Sequence, residues 1–189
     1  KVFNTFEGGA IVCHSEEMKE RIDNLKNFGF RGETTVVAPG INSKMNEFQA
    51  ALGLLQLQYV DKIIAKRKEI AEKYKEALKC VPGISFLENS PDHNYNYSYF
   101  PILIDEEQYG KSRDEVYSTL KENKIYARRY FYPLISQFPS YKDLASSART
   151  NLSNASKIAE CVICLPIYPE LEEHNIGEII SVLKSILLT

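Results

Sequence analysis

Two adjacent arginines, Arg128 and Arg129, precede the aromatic run Tyr130-Phe131-Tyr132. A guanidinium group binds carboxylates and phosphates through paired hydrogen bonds, and aromatic rings beside it supply apolar contact area. The segment is therefore a candidate binding site for an anionic partner, with Arg128, Tyr130 and Tyr132 as the contacting residues. The alternative is an amphipathic edge strand whose charges are solvated.

The other residue types that carry chemistry form no comparable cluster. Four cysteines occupy positions 13, 80, 161 and 164, and the last two have Cys-x-x-Cys spacing. That pair lies in an apolar run with no second pair or histidine cluster nearby, which favours packing over a metal or a disulfide. His14, His93 and His174 are scattered, which favours surface or capping roles. No metal site is predicted.

The composition narrows the class of protein. The 189 residues include 23 basic and 25 acidic side chains, and 44% of them are hydrophobic, as in compact globular proteins. A formal net charge of -2 lacks the concentrated basic field of a nucleic-acid binder. No apolar run approaches the roughly 20 residues of a membrane span, and no signal-peptide pattern is found. We therefore expect a soluble, cytoplasmic protein.

Sequence patterns predict mixed α/β structure around these residues. The apolar stretch 8–13 predicts a short buried strand, and Ser15 is a good N-cap for the helix after it. Residues 29–43 contain three glycines and one proline, which predicts a long loop. Later elements are predicted as strands at 84–87, 99–104 and 125–132, and as helices at 112–120, 154–161 and from Asn175 onward.

A longer helix is predicted over residues 44–78, where apolar side chains recur at intervals of three and four. Its apolar stripe is broad and almost uncharged as far as Val60, and it narrows where charged residues follow. We therefore expect the first half of this helix to be more deeply buried than the second. A domain boundary is predicted inside the helix, with residues 1–60 in one domain and 61–189 in the next.

Four blocks of sequence, taken in order, resemble the DegT/DnrJ/EryC1/StrS aminotransferases. They are KVFNTFEGGA at 1–10, GINSKM and QAALGLLQL within 40–57, YFYPL at 130–134 and LPIYP at 165–169. The resemblance covers essentially the whole chain and implies an α/β architecture, the fold type I of pyridoxal 5'-phosphate (PLP) dependent transferases, like aspartate aminotransferase. Residues 1–60 would end the large PLP-binding domain and start the connecting helix, and 61–189 would form the small C-terminal domain.

The resemblance also implies roles for single residues. Lys1 matches the lysine that forms the Schiff base with PLP, and Asn42 matches a residue that reaches the PLP phosphate of the neighbouring subunit. A lysine amine can hold the cofactor aldehyde and later move the substrate proton. From the residues alone, Asn42 is an ordinary cap or turn asparagine, and the resemblance changes that interpretation. It implies a homodimer with a shared active site.

For Arg128, Tyr130 and Tyr132, the resemblance implies contact with substrate, either the diphosphate of a nucleotide sugar or the carboxylates of an amino donor. Family members commonly carry a histidine where this chain has Ile135, so the identity of the sugar stays open. The family's other PLP-binding residues precede the Schiff-base lysine. We therefore expect these residues to be about the second half of a longer chain.

The function implied by the resemblance is transamination of a nucleotide-linked (dTDP or UDP) 4-keto-6-deoxy sugar, with glutamate as the amino donor, in amino-sugar or polysaccharide biosynthesis. Two alternatives stay open: amination at C3 by an enzyme of the same family, and a non-catalytic PLP-fold protein with a regulatory or interaction role. No nucleic-acid or membrane partner is expected.

Overall fold

The computed structural model describes residues 2–90 and 92–187. Two compact units divide the chain, one formed by Phe3–Val60 and the other beginning at Asp61. Each unit has its own helices and strands. No helix in these described ranges is both long enough and apolar enough to cross a bilayer.

The first unit begins with helix α1, Glu16–Lys26. Ser15 caps it as predicted, because its side-chain oxygen accepts a hydrogen bond from the Met18 backbone N–H. After the helix, the chain folds back through a hairpin of two short strands, β1 (Phe30–Arg31) and β2 (Thr35–Val36). The returning chain lies so close to the helix end that a Cβ atom on Gly40 would be 2.3 Å from the backbone nitrogen of Gly29.

The predicted long helix is divided in two, α2 (Glu47–Leu57) and α3 (Val60–Leu78). Backbone N–H groups of Gln58 and Tyr59 bond three residues back, to Leu55 and Gln56, which tightens the turn where α2 ends. No glycine or proline marks this break in the sequence, so the periodicity alone predicted one helix.

The prediction that the first half of the long helix is more deeply buried than the second is wrong. In α2 only Gly53 is buried, whereas α3 buries five residues: Arg67, Ile70, Ala71, Tyr74 and Leu78. Phe48 is 86% exposed and Leu54 67% exposed. The reason is that an apolar stripe becomes buried only where another segment covers it, and the described segments of the first unit leave Phe48 and Leu54 uncovered.

The strand predicted at 8–13 is also wrong. The segment has no regular secondary structure, and Ile11 and Val12 are 70% and 84% exposed. A strand requires a neighbour to pair its backbone groups, and no described segment pairs with this one.

The second unit is built on an antiparallel sheet of β3 (Ile84–Phe86), β4 (Phe100–Ile104) and β5 (Val162–Leu165), with β4 in the centre. Ile102 of β4 stands opposite Phe86 on one side and Ile163 on the other. The helices of this unit after α3 are α4 (Glu106–Tyr109), α5 (Arg113–Glu122), α6 (Ser153–Cys161) and α7 (Glu173–Ile186). Short 3-10 turns occupy Ile135–Gln137, Ala145–Ser147 and Arg149–Asn151.

A single hydrophobic core joins the sheet to α3, α5 and α7. Two of its largest members are tyrosines whose hydroxyl groups are satisfied by backbone oxygens: Tyr74 donates to Pro166 at 3.0 Å and Tyr109 to Leu183 at 2.5 Å. Burial raises the pKa of Tyr109 to about 12. Of the two cysteines predicted to pack in the interior, Cys164 is buried and Cys161 is only partly buried, and burial raises the pKa of the Cys164 thiol.

Two further element predictions need correction. Residues 125–132 form no strand, because Arg128 alone pairs with Cys164 of β5 before the chain turns away. Helix α7 begins at Glu173 with Glu172 as its N-cap residue, so Asn175 lies inside the first turn and does not cap it.

Candidate active site

Three residues predicted to contact substrate, Arg128, Tyr130 and Tyr132, line one pocket of the second unit. The cavity has a volume of about 550 Å³. Its walls are mainly aromatic, from Tyr117 of α5 to Phe138 after the first 3-10 turn. The lining is completed by Tyr126, Ala127, Arg129, Phe131 and Pro133.

The backbone of Arg128 attaches the pocket wall to the sheet. Its N–H donates to the Cys164 oxygen at 3.0 Å, and the Cys164 N–H donates back to the Arg128 oxygen at 2.7 Å. This pair of bonds fixes Arg128 at the edge strand β5, although its side chain is exposed. The following residues are free of the sheet and form the wall.

Arg128 and Tyr130 are directly linked. The Arg128 Nη1 group donates to the Tyr130 hydroxyl oxygen at 2.5 Å, and the guanidinium carbon lies 5.4 Å from the centre of the same ring. Tyr99 meets the Tyr130 ring edge-on at 5.2 Å, and Phe131 stacks on it at 4.8 Å. These aromatic contacts hold Tyr130, and with it the Arg128 head group.

Tyr132 is held by a second group of residues. The guanidinium carbons of Arg113 and Arg129 lie 4.6 Å and 5.2 Å from its ring centre. Both arginines also pair with Asp114, whose Oδ1 atom is 2.8 Å from Arg113 Nε and 2.8 Å from Arg129 Nη1. Arg129 lies 4.4 Å from the Tyr117 ring centre as well.

Sequence reasoning missed Arg113, Asp114 and Tyr117. The three residues lie on the first two turns of α5, where Asp114 has the ordinary position of an acidic residue near a helix N-terminus. Only the fold brings them to Arg129, fifteen residues further along from Asp114. No signal in the sequence points to them, because an arginine that keeps contact with water does not require a carboxylate partner.

Asn42 lies in the first unit, in a segment whose backbone forms hydrogen bonds with the last residues of α1. Backbone bonds hold it on both sides, from Ile41 N to Leu25 O at 2.9 Å and from Ser43 N to Lys26 O at 3.0 Å. Its side chain is exposed and has no hydrogen bond to any other described residue. The N-cap of α2 is Asn46, so Asn42 does not have the capping role that was its alternative.

Lys44, two residues further on, is already engaged. Its Nζ donates to Asn27 Oδ1 at 2.8 Å and lies 5.3 Å from the centre of the Phe28 ring. It is therefore a weaker candidate for an anion than Asn42.

Lys1, the predicted Schiff-base residue, lies outside the described residues. The segment after it is fixed onto α2. Gln49 Nε2 donates to the Glu7 oxygen at 3.0 Å, and Asn4 N donates to Gln56 Oε1 at 3.3 Å. Gly53 makes room for this contact, since a Cβ atom there would lie 3.0 Å from Thr5 Cγ2. No cluster of possible metal ligands occurs in the part of the chain that the structure describes.

The chain belongs to the DegT/DnrJ/EryC1/StrS aminotransferase family, whose model matches residues 1–184. This match confirms the family that the four sequence blocks indicated.

Two curated relatives, both named dTDP-4-amino-4,6-dideoxy-D-glucose transaminase, are similar over nearly the whole chain. The protein of Escherichia coli is 49% identical over 178 residues, covering 94% of this chain and 48% of the relative. That of Shigella dysenteriae is 46% identical over 186 residues, covering 98% of this chain and 50% of the relative. The chain thus spans about half the length of the curated relatives it matches.

Solved structures agree with this assignment. DesI, crystallised in the presence of its TDP-sugar product, is 29% identical with a TM-score of 0.90, over 99% of this chain and 47% of DesI. DesV of S. venezuelae is 26% identical with a TM-score of 0.85, over 94% of this chain and 46% of DesV. The predicted fold class, the PLP-dependent transferase fold type I, is confirmed by these similarities.

Proposed function

We propose that the complete protein is a PLP-dependent aminotransferase that places an amino group at C4 of a dTDP-linked 4-keto-6-deoxy sugar, with glutamate as the donor. The identity of 49% to a dTDP-4-amino-4,6-dideoxy-D-glucose transaminase supports the position and the nucleotide. The observation that carries the proposal in this chain is the aromatic pocket with Arg128 in its wall, which suits a nucleotide sugar. Amination at C3 is less well supported, because the relative named for it is only 28% identical.

The described residues fit PLP. Asn42 offers an amide donor without an internal partner, held in place by backbone bonds on both sides, which suits a phosphate oxygen. When bound, PLP supplies an electron sink that allows a proton to leave the carbon that carries the amino group. Lys1 Nζ would attach the cofactor covalently and then carry that proton. The Glu7 and Asn4 contacts with α2 would orient the segment that bears Lys1.

We further propose that Phe3–Val60 are the end of the large cofactor-binding domain and that the unit from Asp61 is the small C-terminal domain. A homodimer in which Asn42 reaches the neighbouring subunit's phosphate, and a cytoplasmic location, remain predictions. The exposed, unbonded side chain of Asn42 is compatible with a partner outside this chain.

The test is direct. The purified full-length protein is incubated with glutamate and, separately, a dTDP-4-keto-6-deoxy sugar, its 3-keto isomer and the UDP analogue of the 4-keto sugar. We expect 2-oxoglutarate and a 4-amino sugar, located by NMR, with the dTDP-4-keto substrate. Product from the 3-keto isomer alone would move the proposal to C3. A protein that stays colourless with added PLP and makes no product would support a non-catalytic role.

A further inference from the structure

We propose that the adjacent residues Arg128 and Arg129 have separate tasks: Arg128 binds the substrate anion, and Arg129 is a positioning residue that holds Tyr132 in the pocket wall with the help of Asp114. The proposal rests on the proposed function for the identity of the anion, the diphosphate of a nucleotide.

The first argument is charge. Arg129 is paired with Asp114 at 2.8 Å, and Asp114 also lies 2.8 Å from Arg113. Arg128, by contrast, has a neutral phenol as its hydrogen-bond partner, and no carboxylate of the described residues lies within ion-pair distance of it. The Arg128 guanidinium group is therefore available for a ligand, whereas that of Arg129 is already bound to a carboxylate, which it shares with Arg113.

The second argument is that the side chains around Tyr132 are anchored in the protein interior. The Arg113 side chain is only 3% exposed and is anchored in the protein interior, where its Nη1 donates to the backbone oxygens of Ala159 at 2.8 Å and Val162 at 3.3 Å. Asp114 joins this anchored group to Arg129. Tyr132 is near both guanidinium groups, which fix its ring, while 44% of the residue stays exposed and it lines the pocket.

The third argument is the geometry of Arg129 itself. It makes cation–π contacts with the rings of Tyr117 and Tyr132 and an ion pair with Asp114, and its side chain is 32% exposed. A guanidinium group that already contacts two rings and a carboxylate would have to break these contacts to bind a diphosphate. Arg128 would only exchange the hydroxyl group of Tyr130 for the ligand.

The test measures binding of dTDP, and separately of inorganic pyrophosphate, to the full-length PLP enzyme by titration calorimetry at two salt concentrations. Arg128→Gln should weaken dTDP binding at least tenfold, or about 1.4 kcal/mol, since a charge-assisted bond is lost, and should flatten the salt dependence of binding. Arg129→Gln should weaken binding about threefold to tenfold and keep most of the wild-type salt dependence, because its guanidinium group does not contact the anion.

A double-mutant cycle separates positioning from direct contact. If Arg129 acts through Tyr132, Arg129→Gln should have no further effect once Tyr132→Leu is present, whereas Arg128→Gln should remain fully effective in that background. Arg129→Lys, which keeps the Asp114 ion pair but lacks the planar group, serves as a second variant in case Arg129→Gln does not fold. Melting temperatures report on folding for each variant.

Three outcomes would overturn the proposal. The first two are a dTDP affinity that no longer depends on salt in Arg129→Gln, and one that keeps the wild-type salt dependence in Arg128→Gln. The third is that the effects of Arg129→Gln and Tyr132→Leu on the binding free energy add. The proposed function is judged separately by wild-type turnover. An enzyme that binds pyrophosphate through Arg128 but does not aminate the dTDP sugar would retain the division of tasks and lose the substrate. An enzyme that binds neither probe would overturn the division of tasks.

Discussion

Gln49 donates a hydrogen bond from its side-chain Nε2 to the backbone oxygen of Glu7, 3.0 Å away. The Oε1 atom of the same side chain accepts from the backbone N–H of Asn46 at 3.3 Å and so caps α2. One glutamine therefore both starts a helix and holds the segment that follows Lys1 in the sequence.

Gln49→Glu separates these two tasks, because glutamate keeps the capping oxygen but has no donor for Glu7. Loss of one hydrogen bond, about 1 kcal/mol, should weaken retention of PLP about fivefold with little change in melting temperature. PLP affinity is measured by titrating the full-length apoenzyme and following cofactor absorbance. An affinity equal to that of the wild type would show that the Glu7 contact does not position Lys1.

Lys1→Ala should abolish turnover, by at least about a thousandfold, because the group proposed to attach PLP and carry the proton is removed. The melting temperature of the apoenzyme should be unchanged. Initial rates and the visible absorption band of lysine-bound cofactor, before and after borohydride, are the measurements. Lys68→Ala is the control, since Lys68 is exposed on α3 and pairs only loosely with Glu72, at 3.8 Å. Normal turnover in Lys1→Ala would make the assignment of Lys1 wrong.

Asn42 and Asn46 form a matched pair of asparagines with opposite expectations. Asn42→Ala should lower PLP affinity about tenfold, through loss of a hydrogen bond to a charged phosphate, and leave stability unchanged. Asn46→Ala should cost about 1 kcal/mol of stability by removing the cap of α2. PLP titration and urea unfolding of the full-length protein distinguish the two. Equal PLP affinity for wild type and Asn42→Ala would argue against the phosphate contact.

The ion pairs of Asp114 should make stability depend on pH in the acid range. Partial burial alone would raise its pKa, but the hydrogen bond from Arg129 and the charges of Arg113 and Arg129 outweigh burial, so the pKa lies below its ordinary value. Such a carboxylate stabilises fully above its unfolded pKa of about 3.9 and loses this contribution as the pH falls through the lower folded value.

Asp114→Asn should therefore be less stable than wild type near neutral pH, and the difference should shrink as the pH falls below about 4. Because the Asp114 side chain is 56% exposed, we expect a difference below about 1 kcal/mol. Urea unfolding at a series of pH values measures it. A difference that stays constant down to acid pH would mean that packing, and not charge, is lost in the variant.

Gly40→Ala should destabilise the first unit by about 1–3 kcal/mol, because the new methyl group would lie 2.3 Å from Gly29 N and 2.5 Å from Leu25 O, both backbone atoms. Gly177→Ala is the matched control within α7, where a Cβ atom meets nothing within 4 Å. That change should raise stability by about 0.5–1 kcal/mol. Thermal unfolding of both variants compares them, and equal effects would show that close packing at Gly40 is unimportant.

Features that depend on neighbouring residues could be predicted from the sequence. Ser15 caps α1 as expected, and the helix predicted from residue 112 begins after Ser112 as its N-cap, because a capping hydrogen bond joins residues three apart. The strand at 100–104 was also predicted, from its local run of apolar residues, although its partners in the sheet were not. The pocket residues Arg128, Tyr130 and Tyr132 were identified by their composition, and the structure brings them to one cavity.

Features that depend on distant segments could not be predicted. Two predictions were wrong, the deep burial of the first half of the long helix and the strand at 8–13. Both patterns assume a neighbouring segment that covers or pairs with them, and the described chain does not supply it. The partner of Arg129 was missed for a related reason: sequence spacing does not show that α5 passes beside it. Pattern analysis identifies an apolar or charged side chain, but the fold alone determines what it meets.

The Arg113 side chain connects two places in the fold. It donates hydrogen bonds to the backbone oxygens of Ala159 and Val162, at the junction of α6 and β5, and it contacts the ring of Tyr132. A core substitution that shifts Ala159 or Val162 by a fraction of an ångström would therefore move a side chain that faces the pocket. Changes in the sugar that an enzyme accepts could arise during evolution from residues that never touch it. In a search for variants with altered selectivity, the junction of α6 and β5 should be randomised together with the aromatic wall.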